Sequence, residues 1–275
     1  MTRVAFDTSY RTAADLLGAS SARLQRSQEQ LGSGRRVTRA SDDPVAAPKI
    51  LQLSTSLAHM DEYDKNLDFA EARLSKLTDS LSRIGDQLTN LKVAAVQGAN
   101  GTYSAQDRAA IRTSALSTLD LINGYIASVD EASLGLDRST TVSDGTKMPV
   151  SLTTEDRNAL KKLSEDLKGL MTPEKLATAE GWSDLLSRVD GELSLTEDTG
   201  ALVMGVRYGA QYQQVANVRD TRGALRLDTQ RIVSNLQDAD IGSVSIALAR
   251  DQNVLQALQA SFAKIQGMSL FDFLR

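Results

Sequence analysis

The chain has 275 residues, enough for one or two packed domains, and its 31 basic residues nearly balance 35 acidic ones, leaving a formal charge of -4. That balance excludes a nucleic-acid binder resting on a basic footprint, and the absence of cysteine excludes disulfides, thiolate metal sites and cysteine nucleophiles. A single histidine, His59, excludes the HExxH zinc pattern and any multi-histidine site; with aromatics at 4%, a core must be built from Leu, Ile, Val and Ala on long helices.

The N-terminal segment carries Arg3, Asp7, Arg11 and Asp15, so no apolar run of the signal-peptide kind is expected there. No stretch has the uninterrupted apolar length of a membrane span. Tyr10, Leu17, Leu24 and Leu31 recur every seven residues, with Phe6 and Ala13 at the alternate seam position and Ser20 and Ser27 continuing it. The two serines read as weak points in that seam. Gly32 to Arg36 reads as a helix stop. Asp43 before Pro44 then reads as a helix start, a carboxylate cap ahead of a proline at the first helical position.

From Lys49 to Met148 there is no proline. Leu67, Ala70, Leu74, Leu77, Leu81, Ile84, Leu88, Leu91 and Ala95 alternate spacings of three and four, with Leu53, Met60 and Tyr63 in the same register. The pattern predicts one helix over residues 44–97, roughly 80 Å long at 1.5 Å per residue. Gly98 to Gly101 should break it, and Ser104 with Asp107 resembles a capping pair for a second helix through Ala115, Leu119, Ile122, Ile126 and Val129. A short reversal between two such helices predicts an antiparallel hairpin.

The middle changes character. Residues 133–150 read as a loop or short strands; Thr153 or Thr154 caps a helix to Leu170; Thr172-Pro173-Glu174 opens another; and Trp182 sits in a short amphipathic piece with Leu185, Leu186 and Val189. Heptad spacing returns at Val215, Val218, Arg222, Leu225, Thr229, Ile232, Leu236 and Ala239, where Arg222 and Thr229 are imperfect seam residues. A last helix carries Val244, Leu248, Val254, Leu258, Phe262 and Ile265 and ends in the apolar tail containing Leu270, Phe271 and Leu274.

The expected fold is therefore mainly α: long antiparallel heptad-patterned helices with a small inserted middle domain. The expected division is residues 1–40 with 240–275, residues 41–135 with 200–239, and residues 136–199. No convergent set of polar residues suggests catalysis, and no catalytic residue, cofactor or metal is expected. Asp42 and Asp43 are better explained by capping, Asp61, Glu62 and Asp64 by a solvated face, and His59 by a surface position. Arg35, Arg36 and Arg39 form one local basic patch that either contacts an acidic neighbour or solubilises a loop. The terminal helices either pair within one molecule or are buried in an assembly. The exposed tail and the thin seam favour assembly.

Two segments carry a resemblance. Leu31-Gly32-Ser33-Gly34-Arg35-Arg36-Val37 with Ser41-Asp42-Asp43-Pro44-Val45-Ala46-Ala47 resembles the N-terminal region of bacterial flagellins and flagellin-like hook-associated proteins. Asp238-Ala239-Asp240, Leu255 to Ser261, and the terminal Leu270 and Leu274 resemble their C-terminal region. Asp-Asp-Pro at 42–44 and the ending Gln266 to Phe271 resemble the hook–filament junction branch more than filament flagellins. The glycine-containing aromatic turn of the family has no counterpart in residues 126–139.

The resemblance implies a non-enzymatic structural subunit of the bacterial flagellum, a flagellin-like rod joining hook to filament. It implies an inner layer made by Phe6, Tyr10, Ala13, Leu17, Leu24, Leu31, Val244, Leu248, Val254, Leu258, Phe262, Ile265, Leu270, Phe271 and Leu274. Implied partners are copies of itself, hook-side and filament-side flagellar proteins, and an export chaperone on the C-terminal helix. It also implies an extracellular location reached by type III export without a cleavable signal. The rival readings are a filament-forming flagellin and a coiled-coil signalling or scaffold module, the latter with ordered ends and no chaperone.

Overall fold

The computed structural model describes residues 2–132, 139–143, 146–194 and 200–273. Among these are seven α-helices: α1 Thr2–Ser33, α2 Ala46–Ala99, α3 Ala105–Ala132, α4 Thr154–Leu170, α5 Ala179–Glu192, α6 Ala201–Gln237 and α7 Ile241–Phe273. One antiparallel hairpin, β1 Ser139–Ser143 with β2 Thr146–Pro149, completes the inventory. The fold is mainly α, as the proline spacing and the apolar period predict. The chain forms two compact units, residues 1–58 with 225–275 and residues 59–224, and α2 and α6 contribute residues to both.

In the second unit the three-and-four alternation on α2 becomes a buried stripe: from Leu67 to Ala95 every predicted seam residue is at most 2% exposed. It faces Ala115, Leu119, Ile122 and Val129 of α3 in one antiparallel register. The Ser80 and Ser128 hydroxyls lie 3.1 Å apart, and Arg108 Nε donates to Gly98 O at 3.0 Å. The turn between them is closed by a reciprocal capping pair. Asp107 N–H donates to Ser104 Oγ at 3.2 Å, while Ser104 N–H donates to Asp107 Oδ2 at 3.0 Å. The Ser104 hydroxyl, then the Ser104 N–H, hold the Asp107 carboxyl below its ordinary pKa.

The same apolar cluster takes in Leu160, Leu163 and Leu167 of α4, Trp182, Leu185 and Val189 of α5, and Met204, Tyr208 and Val215 of α6. Thr153 caps α4, its hydroxyl accepting from Asp156 N–H at 3.1 Å. Asp156 is 1% exposed, and burial of a carboxylate demands partners. It receives Arg207 Nη1 at 3.0 Å on both oxygens and the Tyr208 hydroxyl at 2.6 Å. Tyr208 in turn accepts from Thr153 N–H at 3.0 Å, so α4 is tied to α6 by a satisfied polar cluster. Burial, and then the hydrogen bond to Asp156, push the Tyr208 hydroxyl up to about 12.

α2 ends at Ala99, inside the expected break at 98–101, and Gly98 in its last turn leaves room for the buried Trp182 ring, since a Cβ at 98 would lie 2.2 Å from Trp182 Cδ2. The structure departs from expectation at two places. Thr172-Pro173-Glu174 opens a short 3-10 turn, Lys175–Ala177, rather than a helix, and Thr178 caps α5 afterwards. The turn frees Leu176 O to accept from Trp182 Nε1 at 2.8 Å, fixing the one tryptophan of the chain. Arg222, an imperfect seam residue by pattern, lies over the Tyr63 ring at 4.8 Å. It also donates to Asp64 at 3.3 Å and to Met60 O at 3.2 Å. Asp64 is thereby drawn out of the solvated face to which sequence assigns it.

Candidate assembly interface

The first unit is built around a junction between two connections that lie 200 residues apart, measured from Arg36 to Leu236. Gly34 ends α1 with φ 67, the left-handed conformation that glycine adopts without a Cβ clash. Its carbonyl accepts from Ala239 N–H at 2.9 Å; Arg36 N–H and Val37 N–H donate to Gln237 O at 2.6 and 3.3 Å. The Arg36 guanidinium also donates to Leu236 O at 2.8 Å and to Asp43 at 3.1 Å. Val37, Ala46 and Ile50 form a small apolar core beneath, packed with Ala47, Val233 and Leu236.

Asp42 and Asp43 organise the connection into α2. Asp42 Oδ2 accepts from the Arg39 and Thr38 N–H groups at 2.8 and 3.1 Å and from the Thr38 hydroxyl at 2.9 Å. Asp43 Oδ1 accepts from Val45 and Ala46 N–H at 3.1 and 2.9 Å, with Pro44 between them. Both carboxyls are held below the ordinary carboxylate range, Asp42 chiefly by the Arg39 N–H and Asp43 chiefly by the Ala46 N–H. Of the basic patch, Arg39 reaches Glu29 at 2.5 Å, Arg36 reaches Asp43, and Arg35 bridges Asp238 through the backbone.

From this junction α1 and α7 run alongside each other. Arg23 meets Asp251 at 3.7 Å, and the Tyr10 and Phe262 rings stand 5.1 Å apart, so with Gly34 opposite Ala239 the pair has a single antiparallel register. Ala13, Leu17, Leu24 and Leu31 are half-buried, as are Val244, Leu248, Val254, Leu258 and Phe262. Tyr10 is 40% exposed. Phe6, Ile265, Leu270 and Phe271 lie on described helix, but their side chains are outside the described residues, and Leu274 lies outside them altogether.

The most buried positions of α1 are the two that sequence reads as weak, Ser20 at 0% and Ser27 at 8%. Their place in the heptad marks them as seam residues, as the spacing predicts. Asp251 is a seam residue that pattern reading passed over, because its charge hid a position three residues after Leu248 and four before Leu255. Outward from the seam, Leu16, Ile241 and Ile246 stand 49%, 48% and 73% exposed. Two helices thus bury one narrow stripe between them and present the rest to solvent.

His59 is exposed beside Glu62, and among the described residues no group of histidine and carboxylate side chains is placed to hold a metal ion. No helix among them is long and apolar enough to cross a membrane.

Comparison with known proteins gives the context. Residues 7–133 match the bacterial flagellin N-terminal helical region. The chain is 27% identical to flagellar hook-associated protein 3 of Salmonella typhimurium in an alignment of 303 residues, covering 90% of this chain and 92% of that one. It is 31% identical over 106 residues to the flagellar filament 41 kDa core protein of Borreliella burgdorferi, 38% of this chain and 32% of the other. Among solved structures, a flagellar hook-associated protein from Vibrio parahaemolyticus shares the fold, with a TM-score of 0.54 and 20% identity over 72% of this chain and 100% of that one. Joined to the motifs at 31–47 and 238–261, these findings make the chain similar to bacterial flagellins over residues 7–133 and to flagellar hook-associated protein 3 along nine-tenths of its length.

Proposed function

We propose that the chain is a structural subunit of the extracellular flagellum, positioned where hook joins filament and assembled through α1 and α7. The observation that carries the assembly mechanism is the half-exposed terminal pair. Its apolar faces exceed what two helices can cover, and such surface gains stability when neighbouring subunits bury it. The junction position rests on the similarity to hook-associated protein 3 along nine-tenths of both chains and on Asp42-Asp43-Pro44. Partners on this reading are further copies of the chain, hook-side and filament-side proteins, and a chaperone that shields α7 before export without signal cleavage.

A second reading, a filament-forming flagellin, draws on the shorter similarity to a filament core protein. Sedimentation and negative-stain microscopy of the purified chain, with and without preformed hook or filament seeds, separate the two. Soluble chains that bind only seed ends support the junction reading. Long filaments of this protein alone support a flagellin and refute the junction assignment.

A further inference from the structure

Two Asn-Gly steps occur in the chain, Asn100-Gly101 and Asn123-Gly124. An asparagine before glycine carries a chemical liability: the next main-chain nitrogen can attack the carboxamide carbon, and glycine has no side chain to obstruct the ring that forms. The fold treats the two steps differently. Asn123 lies inside α3, where the Gly124 N–H belongs to the helical ladder and Asn123 Oδ1 accepts from the Ser164 hydroxyl at 2.5 Å. Its carboxamide is held against α4 and its nucleophile is occupied.

Asn100 directly follows the last residue of α2 and is exposed, as are Gly101, Thr102 and Tyr103. Its Oδ1 accepts from the Thr102 N–H at 3.1 Å and from the Thr102 hydroxyl at 2.9 Å, which folds the side chain back over the peptide joining Asn100 to Gly101. Among the described residues the Gly101 N–H has no partner, and a Cβ at 101 would meet nothing within 4 Å. The nitrogen stands free in open space. The Asn100 main-chain carbonyl accepts from Tyr103 N–H at 3.3 Å and from Arg108 Nη2 at 3.3 Å.

We propose that Asn100-Gly101 is a site of spontaneous covalent modification, an intramolecular deamidation that the turn activates through Thr102. Solvent base removes the Gly101 amide proton, and the nitrogen forms a bond to Asn100 Cγ. Negative charge develops on Oδ1, where the two Thr102 donors stabilise it as the donors of an oxyanion hole do. Collapse breaks the Cγ–Nδ2 bond, Nδ2 takes a proton from solvent, and ammonia departs from a five-membered succinimide. Water, the one co-reactant, then opens the ring. Attack at Cγ gives aspartate. Attack at the former main-chain carbonyl gives isoaspartate, with the chain rerouted through Cγ and a free carboxylate in place of the carbonyl that Arg108 reaches. The guanidinium polarises that carbonyl and pairs with the carboxylate it becomes, so isoaspartate is the favoured product. The turn between α2 and α3 thereby gains a negative charge and an extra backbone carbon.

Trypsin separates the two steps, since residues 93–108 and 113–138 are released as distinct peptides. In the folded full-length chain, held in mildly alkaline buffer, peptide 93–108 should acquire the amide-to-acid mass change about tenfold faster than peptide 113–138, with isoaspartate in excess by methyltransferase labelling. It should also react faster than the same peptide segment in urea-unfolded chain. Thr102→Val keeps the N–H and the branched shape but removes the hydroxyl donor, and should slow the change by about tenfold, the scale of one hydrogen bond to a developing charge. Equal rates in the two peptides of the folded chain overturn the proposal, as does an unchanged rate in Thr102→Val. A slower reaction in the folded chain than in urea means that the turn protects Asn100, and overturns it too. Asn100→Ser must abolish the change; persistence there would place it on Gln97 or Gln106 and refute the site.

Discussion

Trp182 and Gly98 show how one missing methyl positions an element. The indole is fully buried, its Nε1 donates to Leu176 O, and its ring occupies the space where a side chain at 98 would stand. Gly98→Ala gains helix propensity but forces the ring or the helix aside. We expect a net destabilisation of the second unit by about 1–3 kcal/mol, read from urea unfolding followed by Trp182 fluorescence. A neutral result would mean that the ring swings without resistance. Tyr208 supplies a prediction at the other end of the pH scale. Its hydroxyl is held protonated to about 12, above the ordinary value of 10. The folded state therefore binds the proton more tightly, and its advantage is complete below pH 10 and lost as pH rises through 12. Stability of the second unit should fall by about 2–3 kcal/mol across that window, and Tyr208→Phe should flatten the alkaline limb. A variant as alkali-sensitive as the parent would place the effect elsewhere.

The helices themselves were legible wherever burial is one-sided and apolar. The stripe from Leu67 to Ala95 on α2 and the caps at Ser104 and Thr153 need only local rules, because period and capping chemistry act over four residues or fewer. The break at Gly98 to Gly101 was legible, but the second role of Gly98 was not, because a glycine that admits a distant ring is indistinguishable, along the chain, from one that only ends a helix. Asp251 misled for a related reason, holding a seam position with a charge, whereas Ser20 and Arg222 fell on the seam by spacing despite their polar groups. Leu17 and Leu258 were likewise recognisable from pattern, and they lie half-buried on the paired faces of α1 and α7. A charge at either site cannot be buried unpaired. Leu17→Asp and Leu258→Asp should each abolish seed-end binding while leaving urea unfolding of the second unit within about 0.5 kcal/mol of the parent. Retained binding in either variant would remove these faces from the assembly mechanism.

Taken as a whole, the molecule divides its apolar material unevenly. The second unit holds one continuous cluster running from Leu67 through Trp182 to Val215, whereas the first relies on a three-residue core at Val37, Ala46 and Ile50 and on the thin α1–α7 stripe. Local opening follows local burial, so brief proteolysis of the free chain should trim α1 and α7 and leave a fragment containing residues 59–224. Uniform resistance along the chain would favour the scaffold reading over the flagellar one. Such a fragment should keep its cooperative unfolding but lose seed-end binding.

The bonds from Gly34 to Ala239 and from Arg36 to Gln237 also impose an order of events on any chain delivered amino end first. The first helix to emerge has no partner until the last one follows, about 200 residues later. Closing a loop of that length is entropically demanding, although the penalty grows only logarithmically with length. Until α7 arrives, α1 is an isolated amphipathic segment, and whatever stands nearest at the point of delivery has the first opportunity to pair with it. Folding of the terminal unit and the choice of its neighbour thus become competing kinetic events.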